Sequence, residues 1–108
     1  MLRLPIFDAG YHFAPSAYDR ETIHDEAQRL VHGHRGTDYG HPIEDYTRTG
    51  RMWGAILGIP DIDPRICCLM MAAVKVSREC HKHKRDNLTD LAGYAECADM
   101  VAQRQAAQ

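Results

Sequence analysis

The 108-residue sequence lacks long apolar runs. No stretch is long enough to span a bilayer, and the opening MLRLPIFDAG has no apolar region of the length a signal peptide needs. The four cysteines, Cys67, Cys68, Cys80 and Cys97, form no CxxC pair and no disulfide framework, so a reducing, cytoplasmic setting is expected. Neither charge dominates. Thirteen basic against fifteen acidic residues give a formal charge of -2, so there is no general field for nucleic acid. A Walker loop and a dinucleotide fingerprint are both absent, so phosphate binding would rest on side chains or on a metal. Strand signals are weak throughout, and neither an internal repeat nor a heptad is present. What is there is globular: 44% apolar and 26% charged residues, in a length that suits one domain.

Proline and glycine divide the chain. Residues 1–18 read as an irregular arm, punctuated by Pro5, Gly10 and Pro15 and anchored by Ile6, Phe7, Tyr11, Phe13 and Tyr18; the arm is expected to pack. Residues 19–108 read as an all-α, four-helix bundle-like domain. Asp19 is the expected cap of a first helix over about 20–33, carried by Ile23, Ala27, Leu30 and Val31 and ended by Gly33. HGHRGTDYGHP then reads as a loop holding four candidates for function: Arg35, Tyr39, Gly40 and His41. Pro42 opens a second helix with a stripe of Tyr46, Thr49, Trp53, Ile56 and Leu57, closed by Gly58 and Pro60. Asp63 and Pro64 cap and open a third, over about 64–81, whose buried side is expected to be Ile66, Leu69, Met70, Ala73, Val74 and Ser77. The last helix runs from about 85 to 104 on Leu88, Leu91, Ala92, Ala95, Ala98 and Ala102, before a tail expected to fray. Wide apolar arcs on the last two helices predict a homo-oligomer, a dimer or a tetramer.

The chemistry gathers where the last two helices meet. Asp86, Asp90 and Tyr94 recur every four residues, so one helix face carries them, with Asn87 beside them. Two carboxylates so placed can share a hard divalent cation, and Glu44 or Asp45 from a facing helix could complete the set. Asp86 and Glu44 also suit first-turn electrostatics without any metal. Lys75, Arg78, Lys84 and Arg85 lie at the same end; they fit either a polyphosphate or a salt-bridge network with the carboxylates. Cys80, His81 and His83 lack a second ligand pair for zinc.

The segment YGHPIEDYTRTGRMWGAILG, followed by LMMAAVKVSREC and HKRDNLTDLAGYAECAD, resembles a small phage-type family with a Tyr-Gly-His-Pro motif. That family is in turn similar to a divergent branch of the MazG-like all-α nucleoside triphosphate pyrophosphohydrolases. The resemblance implies an enzyme that splits a nucleoside triphosphate into monophosphate and pyrophosphate. It implies magnesium, or manganese, held by Glu44, Asp86 and Asp90, with Lys75, Arg78 and Arg85 facing phosphate. Tyr39, His41, Asn87 and Tyr94 would contact the nucleotide. Two departures count against turnover: Thr47 stands where the pattern has a second acid, and Asn87 where it has another. The competing expectation is a non-catalytic phage accessory protein that binds a nucleotide or a protein. Neither membrane nor nucleic acid is an expected partner.

Overall fold

The computed structural model describes residues 21–108. The expectations for the arm over 1–18, and for Asp19 as a cap, fall outside these residues. The described chain is all α-helical and sheet-free, with four long helices in a bundle-like arrangement and one short helix between the first two of them. They are α1 (Ile23–His32), α2 (His34–Tyr39), α3 (Pro42–Leu57), α4 (Pro64–His81) and α5 (Arg85–Ala107).

The helix starts follow their sequence signals. Thr22 and Asp25 form a reciprocal capping box at α1. The Asp63 carboxylate accepts from the Arg65 N–H at 2.9 Å, one residue beyond Pro64 at the head of α4. Gly58 ends α3 in the left-handed region, with φ 70°. Two segments differ from expectation, and α1 is capped by Thr22 where Asp19 was expected. Six residues of the predicted loop form α2, and the tail expected to fray stays helical to Ala107.

α4 and α5 form the most extensive helix pair, and α1 packs on α5. Two glycines decide how α3 meets the chain that follows it. A Cβ at Gly50 would stand 2.0 Å from the Ile62 carbonyl oxygen, and one at Gly54 would stand 2.7 Å from that of Pro60. The chain after α3 therefore folds back against the helix backbone. The Ile62 N–H donates to the Gly50 carbonyl at 3.2 Å, and the Ile59 N–H to that of Gly54 at 2.9 Å. The expected stripe of α3 is corrected by this packing: Tyr46 is buried, but Ile56 is 77% exposed and Leu57 is exposed too.

α4 shows the larger reversal. Its buried residues are Cys67 and Cys68, with Met71 and Ala72 packed beside them, whereas Ile66, Leu69, Met70, Ala73, Val74 and Ser77 face outward. The helix is apolar nearly all round, and α5 takes the side with the smaller residues. The core is accordingly made of modest side chains: Ala27, Val31, Tyr46, Cys67, Cys68, Tyr94, Cys97, Ala98 and Val101. No leucine, isoleucine, methionine or tryptophan of residues 21–108 is fully buried.

Candidate functional site

The turn between α4 and α5 is held by Glu79 and Asn87. The Glu79 carboxylate accepts from the His83 ring, from the Lys84 N–H at 3.0 Å and from the Asn87 amide at 3.1 Å. The His83, Lys84 and Asn87 bonds hold Glu79 far below the usual carboxylate range, at about 2. Asn87 is buried, and its Nδ2 also donates to the Lys82 carbonyl at 3.4 Å. One turn further along, the Asp90 carboxylate meets the Lys75 ammonium at 2.7 Å, with side chains only 17% and 12% exposed. Asp86 and Arg78 are exposed, and the Arg85 guanidinium donates to the Glu21 carbonyl at 2.8 Å. The salt bridge, one of the two roles open to Asp90, is therefore present.

Tyr39-Gly40-His41-Pro42 is the entry to α3. Gly40 has φ 77°, a region that favours glycine. His41 is the cap, its Nδ1 accepting from the Ile43 N–H at 3.0 Å, and Pro42 takes the first turn. Burial, aided by the charge of Arg104, pushes the His41 imidazole below its ordinary value. Tyr39 is exposed. Beside this entry, the Arg35 guanidinium lies 5.4 Å from the centre of the buried Tyr94 ring, within range of a cation–π contact. Two crevices flank Arg35, one lined by Asp90 and Tyr94 and the other by Tyr39, Asp45 and Tyr46. They hold about 10 and 20 Å³, room for a water each and too little for a nucleotide.

The three expected metal ligands lie towards opposite ends of the bundle. Glu44 lines a groove with Arg104, near the end of α5, whereas Asp86 stands at its start. Eighteen residues of helix between Asp86 and Arg104 amount to about 27 Å. Asp90 is nearer but is engaged by Lys75. Among the described residues, no group of three or more His, Cys, Asp or Glu side chains could hold a metal ion. The expectation of magnesium or manganese is corrected on that ground. The buried thiols offer no substitute nucleophile: burial pushes Cys68 up to about 12 and Cys97 to about 11.

A family model described as "Domain of unknown function (DUF6378)" matches residues 22–102. The chain belongs to this family. The chain is 37% identical over 83 residues to the Gene 55 protein of Mycobacterium phage D29, covering 75% of this chain and 54% of that protein. It is 31% identical over 70 residues to the Gene 55 protein of Mycobacterium phage L5, covering 64% of this chain and 45% of the relative. The chain thus spans about half the length of the curated relatives it matches. No solved structure matches it. The likeness to MazG-like pyrophosphohydrolases is corrected. The matching DUF6378 family is one of unknown function, and the described residues do not assemble the acidic cluster that a metal-dependent triphosphate hydrolase requires. With it falls the expectation that the chain is a hydrolase.

Proposed function

We propose that this domain is a non-catalytic, protein-binding accessory factor of the kind phages encode, and that its first partner is a second copy of itself. The observation that carries this reading is the outward apolar face of α4, with further exposed apolar residues at the end of α3. Ile66, Leu69, Met70, Ala73 and Ser77 recur at helical spacing along one side of α4, with Val74 and Val76 beside them, and all are exposed. Met52, Ile56, Leu57 and Ile59 are exposed on and just after α3. Together the large apolar residues of these two segments present on the order of 800 Å² of surface, comparable to what one partner contributes to a standard protein interface. A monomer rarely leaves that much apolar area in water. Pairing α4 with α4 of a second copy across a two-fold axis buries the same patch on both sides.

Three further features fit this reading. No helix among the described residues is long and apolar enough to cross a membrane, so the apolar face is not a spanning segment. The four cysteines are free, which suits the cytoplasm. The relatives are phage proteins, which suits an accessory role.

Sedimentation equilibrium at micromolar concentration should give twice the chain mass of 12.2 kDa. Met70→Asp, which places a charge in the middle of the face, should return the protein to the monomer with its helical circular dichroism intact. A wild-type protein that stays monomeric up to a hundred micromolar, or roughly that, would overturn the proposal, since a standard interface of this area binds far more tightly.

A further inference from the structure

A groove that serves no role described so far lies between the start of α3, the start of α4 and the end of α5. It has a volume of about 660 Å³ and is lined by Ile43, Glu44, Thr47, Pro64 and Gln105 together with three arginines, Arg48, Arg51 and Arg104. In a chain whose overall charge is -2, this is a local concentration of positive charge. Its arginines are largely uncommitted. Among the described residues, neither Arg48 nor Arg104 makes an ion pair within 4.0 Å, and Arg51 reaches Asp61 only at 3.7 Å, with both side chains about two-thirds exposed. Such an exposed pair contributes little and yields easily to a better partner. Among the described residues Glu44 is the single acid in the lining, and no arginine makes an ion pair with it within 4.0 Å. Asp63, close by, is already occupied: its carboxylate accepts from Gln105 at 2.9 Å and caps α4.

We infer that this groove binds a short polyphosphate chain, free or carried by a nucleotide, through the guanidinium groups of Arg48, Arg51 and Arg104. Arg48 and Arg51 are three residues apart on α3, so they project from neighbouring positions, and Arg104 faces them from α5. Planar guanidinium groups on two sides of an open groove suit a ligand with several phosphates in a row, each offering oxygens to a bidentate donor. The Thr47 hydroxyl and the Gln105 amide border the same space. No aromatic side chain among the described residues lines the groove, so what recommends the ligand is its phosphates and not its base. The groove is lined by residues of one protomer.

Isothermal titration of the full chain at low salt tests this with three ligands: inorganic tripolyphosphate, a nucleoside triphosphate and the corresponding nucleoside. The first two should bind with affinities within about threefold of each other, the nucleoside should not bind, and raising the salt should weaken both. Arg48→Gln and Arg104→Gln should each lower the affinity at least tenfold while leaving the thermal melt unchanged. Lys82→Gln with Lys84→Gln, a basic pair at the far end of α4, should leave it as it was. Absence of binding by folded protein overturns the inference. So does equal weakening by the lysine pair, which would show diffuse attraction only. Binding of the nucleoside, or a single-stranded oligonucleotide that outcompetes tripolyphosphate by more than its charge explains, would assign the groove to a different ligand.

Discussion

Asp90 stands one turn into α5, with its carboxylate against the Lys75 ammonium at 2.7 Å and little water around either group. A pair in that setting is held by the partner's charge, so removing one member leaves the other uncompensated. Asp90→Asn should therefore destabilise the domain by about 2–3 kcal/mol, somewhat under the figure for a fully buried pair because each side chain keeps a little exposure. Replacing both residues together, Lys75→Met with Asp90→Leu, should recover most of that loss. Urea melts of the three variants measure it; an Asp90→Asn protein as stable as wild type would refute the structural role. The sequence brought these two residues to one end of the molecule correctly. It did not distinguish an ion pair from half a metal site, because helical spacing gives the face of a residue and not the identity of what stands opposite. Glu44 was the decisive miss. It opens α3 as an acidic residue should, yet the end of the bundle it reaches is set by the path of α3, which no local signal records.

At the scale of the element, starts and stops were legible and faces were not. Prolines, capping side chains and the left-handed Gly58 write helix ends directly into the local sequence, which is why α3 and α4 begin where expected. Periodicity of large apolar residues misplaced the buried sides of both helices. On α3 the inward positions include Gly50 and Gly54, which carry no side chain for periodicity to detect. On α4 apolar residues surround the helix, so a stripe could be drawn on more than one side. The α3 packing makes a sharp forecast. The methyl group of Gly50→Ala meets a backbone carbonyl, not the end of a flexible side chain, so the chain after α3 must move away. A loss of about 3 kcal/mol, at the upper end for overpacking, is expected in thermal or urea denaturation. Gly58→Ala meets no such contact and strains only the left-handed backbone, so its cost should be smaller, about 1 kcal/mol. An indifferent Gly50→Ala would mean that the loop does not lie on the helix as described.

At the scale of the whole molecule, the small core and the large outward residues are two sides of one distribution. A domain whose largest fully buried side chains are Val101, Thr89, Cys67 and Cys68 has modest hydrophobic stabilisation of its own. In the proposed dimer a second copy supplies the rest, and mass action would then tie folding to concentration. The all-α class was readable from the absence of strand signals and the punctuation of the helices. The apolar arcs on α4 were readable too, and their outward direction is what the proposed pairing rests on.

The Glu79–Asn87 turn has a consequence in time. It closes α4 and α5 into a hairpin through contacts only a few residues apart in sequence, and such local closures form early because little chain entropy opposes them. The α4–α5 hairpin is thereby the natural nucleus on which α1 and α3 condense. Asn87→Ala should slow refolding in stopped-flow experiments nearly in proportion to the stability it removes, while Gly50→Ala should chiefly accelerate unfolding. The reverse pattern would place the rate-limiting step in the docking of α3, and the turn would then be a late fastening rather than the point from which the fold grows.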